Sequence, residues 1–265
     1  MSGSKTPQAP GPGQPQNVEP ERAPAPPRVT TSPALYDQLW ELAWGDVQAH
    51  GPVHRHTIEQ LVRLIRAIPV RSVLDVGCGA GDLLAALHAE RRYDLAGADL
   101  SEAALTKARA RVPSGRFYTL DIQRARLPQS FDLVVSVQVL EHLVDDIAAL
   151  CNMGAMAKRF VLFSTVLGRM RRSEIRIGHV RNYSVPEIQQ KLAAAGLTPI
   201  QIRRWGFPFY SPLYRTLVEY LPGGPPLGSM GRLSRGIAHL LYHLYRANWP
   251  GRGDIVTVLA APQPI

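Results

Sequence analysis

The chain has 265 residues, of which 45% are hydrophobic and 19% are charged, so it can bury a core of ordinary size. Its two cysteines cannot build a disulfide framework, and no Cys/His cluster has zinc spacing. No run reaches the ~18 apolar residues of a membrane helix, and the N-terminus lacks the apolar core of a secretory signal. We therefore expect a cytoplasmic protein.

The net charge of +9 is unevenly distributed along the chain. Up to Leu150 there are 15 Lys and Arg against 17 Asp and Glu, whereas from Cys151 onward there are 15 against 4. A basic half of this kind suits an anionic small molecule, a membrane surface or a nucleic acid. A basic half also arises in Arg-rich chains in which the charge has no function.

Composition and periodicity divide the chain into three parts. Residues 1–32 hold eight of the 23 prolines and no aromatic residue, which predicts a disordered tail. Residues 33–69 have apolar side chains at helical spacing, which predicts helices at Leu35–Trp44 and at His56–Ile68. Residues 70–265 form the third part.

Short apolar runs alternate with helical patterns in this third part. The predicted strands are Ser72–Val76, Tyr93–Ala98, Gly115–Thr119, Phe131–Val137, Phe160–Thr165, Thr198–Arg204 and Asp254–Ala260. The predicted helices between them are Asp82–Glu90, Glu102–Val112, Asp145–Ala157 and Ser184–Ala195. This alternation indicates an α/β sheet with helices on both faces. The segment Trp205–Trp249 reads as an insertion, with a helix at Leu233–Ala247 that we expect to pack on the sheet.

A glycine-rich turn follows the first predicted strand. It runs Asp75-Val76-Gly77-Cys78-Gly79-Ala80-Gly81, and its glycines allow the backbone to turn tightly and to approach a bulky ligand. The spacing Gly-x-Gly-x-Gly differs from the Gly-x-Gly-x-x-Gly of dinucleotide-binding turns. The acid Asp75 at the strand end suits a ligand with a cationic amino group and no phosphate.

Further polar residues follow the next three strands. Asp99 is placed to accept hydrogen bonds from both hydroxyls of a ribose. Asp121 would lie beside an adenine amino group, although an Asp in this position is often only a turn former. The fourth strand leads into Gln138–His142. Open α/β sheets bind ligands at the carboxyl ends of neighbouring parallel strands, which is where all four segments fall.

In this order and spacing, the motifs resemble those of class I S-adenosylmethionine-dependent methyltransferases over Ser72–Thr165. The stretch Gly178–Ser184 resembles the small-molecule branch of that class, which serves quinone biosynthesis and antibiotic tailoring in secondary metabolism. The resemblance implies a Rossmann-like, doubly wound, seven-stranded sheet with an antiparallel last strand. It also implies that 33–69 is a helical lid and that 205–249 is a cover over the substrate.

The resemblance further implies S-adenosyl-L-methionine as the cofactor. The residues expected to bind it are Asp75, Gly77, Gly79, Gly81, Asp99, Leu100, Asp121, Ile122 and Gln138. Methyl transfer depends mainly on alignment, and an oxygen or nitrogen acceptor also needs a base. His142 and His179 are the candidates, although each is equally compatible with a structural role in its loop. Neither histidine has metal-site spacing, so we expect no metal.

The sequence therefore predicts a methyltransferase that acts on a small hydrophobic acceptor, most simply at oxygen. The acceptor is expected to be anionic or lipid-like, because several arginines lie near the aromatic segment Gly206–Tyr214. That segment would line a pocket or touch a membrane at its periphery. The alternatives are a nucleic-acid methyltransferase, against which the sequence has no base-flipping motif, and a non-catalytic cofactor-binding protein.

Overall fold

A computed structural model describes residues 50–220 and 230–263. The predicted tail 1–32 and the predicted helix Leu35–Trp44 lie outside these residues. The described strands are β1 Ser72–Val76, β2 Asp94–Asp99, β3 Arg116–Thr119, β4 Phe131–Val137, β5 Ala157–Val166, β6 Leu197–Trp205 and β7 Ile255–Pro262. The described helices are α1 Pro52–Ala67, α2 Asp82–His88, α3 Glu102–Arg111, α4 Asp146–Met156, α5 Arg172–Arg176, α6 Val185–Ala194, α7 Arg215–Tyr220 and α8 Arg232–Tyr245.

The seven strands form one sheet in the order β3-β2-β1-β4-β5-β7-β6. The first five strands are parallel to one another, and β7 runs antiparallel between β5 and β6. This arrangement confirms the predicted doubly wound sheet with an antiparallel last strand. Its parallel part brings the carboxyl ends of β1, β2 and β4 to one edge.

Several element boundaries differ from the predictions for local reasons. Helix α1 begins at Pro52, ahead of the predicted His56, because proline suits the first turn of a helix. Strand β5 begins at Ala157, directly after α4 and ahead of the predicted Phe160. Helix α6 opens with a capping box, in which the Ser184 side chain accepts from the Glu187 N–H at 3.3 Å. The short helices α5 and α7 were not predicted.

Two apolar layers cover the two faces of the sheet. Neighbouring residues of β1 point to opposite sides, so Leu74 packs with α4 and α6 whereas Val73 packs with α1, α2 and α3. On the second face, Leu61 and Ile65 of α1 are fully buried. Helix α1 is thus part of the core, and a lid role for 33–69 stays a prediction.

The described residues of the segment 205–249, which are 205–220 and 230–249, pack around a cluster of aromatic rings ahead of β7, and we call them the cover. Tyr210 and Tyr245 are buried there, with ring centroids 6.0 Å apart. His56 of α1 stacks on Tyr242 of α8 and approaches its carbonyl oxygen at 2.7 Å through Nε2. The aromatic side chains of the cover therefore hold it against β5, β7 and α1. Within the described ranges, no helix has the length and apolarity that crossing a membrane requires.

Candidate functional site

The glycine-rich turn after β1 needs glycine at three places. Gly77, Gly79 and Gly81 have φ of +71°, +53° and +79°, which residues with a Cβ adopt only with strain. A Cβ on Gly77 would lie 2.3 Å from Cγ2 of Val139. The backbone N–H of Gly77 donates to the carbonyl of Ala98 at 2.7 Å. The turn is thereby held between the ends of β2 and β4, and Gly81 caps helix α2.

Asp75 is buried at the end of β1, and its Oδ1 has no hydrogen-bonding partner among the described residues. Burial raises the pKa of this carboxyl group well above its ordinary value, and the neighbouring charges of Asp99 and Asp82 raise it further. An unpaired acid in a buried position is costly for the protein by itself. A cationic group placed beside Asp75 would remove that cost.

Asp99 ends β2 and joins two loops. Its Oδ2 accepts from the Gly79 N–H at 2.8 Å, and its Oδ1 accepts from the Ser101 N–H at 2.9 Å. A carboxylate accepts about four hydrogen bonds, so these contacts are compatible with ribose hydroxyls as further donors. Leu100, the next residue, is half-buried at the same edge of the sheet.

The residues after β3 are less suited to a ligand than the sequence suggested. Oδ1 of Asp121 accepts from the Gln123 N–H at 3.0 Å, and Oδ2 lies 3.4 Å from Nε of Arg124. The carboxylate therefore stabilises its own turn, which was the alternative interpretation. Ile122 is buried in the core layer below, and its cofactor role stays a prediction.

The loop after β4 begins at Gln138, which has a φ of +56°. Its N–H donates to the Ser164 carbonyl at 2.9 Å, and its Nε2 lies 3.5 Å from Oγ of Ser164 on β5. The turn of 3₁₀ helix Leu140–His142 follows. Gln138 thus fixes where that turn, with Glu141 and His142, leaves the sheet.

The two predicted catalytic histidines meet at the carboxyl edge of β4 and β5. The ring centroids of His142 and His179 are 4.8 Å apart in an edge-to-face arrangement. Burial, with the adjacent His179 as the second cause, lowers the pKa of His142 to about 3, and burial lowers the pKa of His179 to about 4. Both imidazoles are therefore neutral at neutral pH, as a proton acceptor must be.

Glu141 is a member of this group that the sequence analysis did not single out. It is fully buried, its Oε2 accepts from the Thr165 hydroxyl at 2.8 Å, and its Oε1 has no partner among the described residues. Burial raises the pKa of Glu141 to about 7. One ligand atom each from Glu141, His142 and His179 lies within 4.8 Å of the others, so these side chains also form a group of metal-ligating type. The expectation of no metal stays a prediction.

A chain of side chains connects His179 to the cover. Nδ1 of His179 lies 3.2 Å from Oδ1 of Asn182, and Nδ2 of Asn182 donates to Oε2 of Glu174 at 2.8 Å. Oε1 of Glu174 accepts from Nε of the buried Arg215 at 3.0 Å. Arg215 also donates to Asp254 at 2.5 Å. The network was not predictable from sequence, because it joins residues 174–182 to Arg215 and Asp254, which are distant in the chain.

A sequence profile described as a methyltransferase domain matches residues 73–159. A ubiquinone biosynthesis O-methyltransferase of Albidiferax ferrireducens is 30% identical over 151 residues, which cover 52% of this chain and 60% of that protein. A ubiquinone biosynthesis O-methyltransferase of Stutzerimonas stutzeri is 34% identical over 104 residues, which cover 36% of this chain and 44% of that protein. The chain thus spans about half the length of these relatives.

Solved structures resemble the fold at low identity. Magnesium protoporphyrin IX methyltransferase of Synechocystis, with bound S-adenosylhomocysteine, gives a TM-score of 0.52 at 17% identity and covers 79% of this chain and 84% of that one. A phosphoethanolamine N-methyltransferase of Haemonchus contortus gives a TM-score of 0.54 at 17% identity, and the match covers 78% of this chain and 52% of that one. Sheet order and glycine-rich turn define a Rossmann-like cofactor-binding domain. The sheet has the fold of these methyltransferases, and residues 73–159 match the profile of a methyltransferase domain.

Replacing Asp75 by Asn should stabilise the ligand-free protein and weaken binding of S-adenosylmethionine. The folded-state pKa of Asp75 is raised, so wild-type stability falls as pH rises above the ordinary range of an Asp. Asn removes this loss, and we expect a gain of about 1 kcal/mol or more at pH 7. Denaturant unfolding without ligand and calorimetric titration with S-adenosylmethionine measure the two effects.

The matched control is Asp94→Asn, at the exposed amino end of β2. It should change neither stability nor binding by much. An Asp75→Asn protein that is less stable than the wild type and binds the ligand equally well would contradict the role given to this carboxyl group.

The histidine pair should make the protein sensitive to acid. Both histidines have lowered pKa values in the folded state, so the unfolded chain takes up protons first as pH falls below about 6.5. The free energy of unfolding therefore decreases as pH falls from about 6.5 toward 4. Replacing both His142 and His179 by Gln should flatten the plot of unfolding free energy against pH by about 3–4 kcal/mol between pH 7 and pH 5, because each unfolded histidine takes up a proton in that range. The exposed pair His239 and His243, replaced in the same way, should leave that slope unchanged. Equal slopes in all three proteins would refute the assignment.

Proposed function

We propose that this protein transfers the methyl group of S-adenosylmethionine to a small hydrophobic acceptor, at a hydroxyl oxygen. The observation that carries the proposal is the neutral pair His142 and His179 at the sheet edge that also holds the glycine-rich turn. The ubiquinone biosynthesis O-methyltransferases among the relatives support an oxygen acceptor. The exposed apolar surface of the cover supports an acceptor of hydrophobic, lipid-like character.

The residues at the sheet edge fit S-adenosylmethionine. The unpaired Oδ1 of Asp75 suits the amino group of the methionine part. Asp99 would hold the ribose hydroxyls. Asp121 is a weaker candidate for the adenine ring, because its carboxylate is engaged in its own turn. When bound, the cofactor supplies a methyl group that is already activated for transfer.

The protein's own contribution to the reaction is to orient the acceptor and to take its proton. Nδ1 of His179 faces the side-chain oxygen of Asn182, so Nδ1 carries the hydrogen and Nε2 presents the lone pair. The acceptor hydroxyl would give its proton to this Nε2. His142, packed edge-on against His179, fixes the plane of the ring.

Glu141 compensates for the weak basicity of this histidine. An imidazole with a pKa near 4 holds a proton poorly, and a nearby negative charge stabilises the imidazolium form. Glu141 lies in the same cluster, and with a pKa of about 7 it is substantially ionised at and above neutral pH. We therefore assign Glu141 as a positioning residue that acts on the proton acceptor through its charge.

Methyl transfer from isotopically labelled S-adenosylmethionine to a panel of hydrophobic phenols and hydroxylated quinols tests the proposal. We expect labelled methyl ethers from at least one acceptor, and a rate that rises with pH through about 7 as Glu141 ionises. His179→Gln should lower kcat by about 10²–10⁴ while the affinity for S-adenosylmethionine stays the same. Glu141→Gln should remove the rise of the methyl-transfer rate with pH.

The control is His88→Gln, which changes a half-buried histidine at the far end of α2 and should leave kcat unchanged. If the labelled methyl group were transferred only to nucleic acid, the protein would be a nucleic-acid methyltransferase and the proposal would be wrong. Tight cofactor binding with no transfer to any acceptor of the panel would instead favour a non-catalytic protein.

A further inference from the structure

Helix α8 of the cover presents a stripe of apolar side chains to water. The stripe consists of Leu233, Ile237, Leu240 and Leu244, which are 79%, 52%, 69% and 38% exposed. Their spacing of three and four residues places them on one side of the helix. We call this the α8 stripe.

The other side of α8 already packs on the protein. Ala238, Tyr242 and Tyr245 are buried, and Tyr245 is fully enclosed by the aromatic cluster of the cover. The orientation of the helix is therefore fixed, and the stripe is a second apolar face rather than a misplaced core face.

The exposed large apolar side chains of the described residues are concentrated in the cover. Of the twelve large apolar side chains that are exposed among the described residues, eight lie between 205 and 249. Leu213, Leu217 and Tyr220 form a further series at helical spacing, exposed by 58%, 57% and 81%. Single exposed leucines are ordinary, whereas a concentration of this kind marks an interaction surface.

The charge around the stripe is positive. From Tyr220 to Gly253 the sequence has four arginines and no acidic residue. Arg232 and Arg246 are exposed at the two ends of α8, and the exposed His239 and His243 lie on the flank beside the stripe. An apolar side bordered by basic side chains is the pattern of helices that lie in the plane of an anionic membrane surface.

We propose that the α8 stripe docks this protein on the surface of an anionic phospholipid bilayer, with Leu233 and Leu240 inserted and the flanking arginines on the headgroups. A second copy of the chain fits the surface less well. Two such helices would bring like charges together, and 14 residues give only two heptads of a coiled-coil seam. The inference stands apart from the proposed function, because docking needs neither cofactor nor acceptor.

Flotation of the full-length protein with lipid vesicles tests this docking. One set of vesicles contains phosphatidylcholine alone, and the other contains phosphatidylcholine and phosphatidylglycerol in equal amounts. The wild type should float with the anionic vesicles and be released by salt. Leu233→Gln combined with Leu240→Gln should lower the partition coefficient about tenfold or more, and Arg232→Gln with Arg246→Gln about tenfold or more as well.

The matched control is Ile200→Gln, which changes an apolar side chain on the edge strand β6 that is 54% exposed and should float like the wild type. Equal flotation with both kinds of vesicle, or equal flotation of the double leucine variant, would overturn the proposal. So would a wild type that stays in solution but sediments as a dimer that the leucine changes dissociate, since the stripe would then bind a second copy. Cofactor titration of the same variants should match the wild type, which separates this outcome from a failure of the methyltransferase proposal.

Discussion

A buried carboxyl group without a full set of partners, Asp75 at the end of β1, is the constraint on which the site depends. The parallel sheet brings Asp99 to the same edge, so two acids share a region from which water is excluded. Such an arrangement costs stability in the free protein, and a cationic ligand would relieve that cost. The glycine-rich turn depends on its lack of side chains, because only glycine lets the backbone pass between Ala98 and Val139.

The opposite side of the site depends on Arg215. This buried guanidinium holds the cover to Glu174 and to Asp254, and through Glu174 and Asn182 it reaches the imidazole of His179. A buried arginine with two acidic partners is worth little as net stability but is strongly disruptive when one partner is lost. The cover and the proposed proton acceptor therefore share one hydrogen-bonded network. An acceptor entering from the surface of the cover would meet groups whose positions that network sets.

The sheet and its glycine-rich turn were predictable because their signals are local. A buried run such as Phe131–Val137, or the glycine spacing after β1, specifies its own backbone. The meeting of His142 with His179 was not visible in this way, because it depends on how the loops after β4 and β5 pack. Asp121 shows the opposite difficulty, since a turn-forming acid and a ligand-binding acid look alike in sequence until the carboxylate is seen to accept from its own turn. The exposed stripe of α8 reads as a core face in sequence, and only the burial of Tyr245 on the other side reveals its true orientation.

The most direct test of this account is a crystal structure of the protein with S-adenosylhomocysteine. The account predicts ribose hydroxyls on the carboxylate of Asp99, the amino group of the methionine part beside Asp75, and the sulfur directed toward His142 and His179. A ligand bound elsewhere would contradict it. So would a sulfur facing away from the histidine pair, because the proposed proton acceptor would then lie outside the reaction.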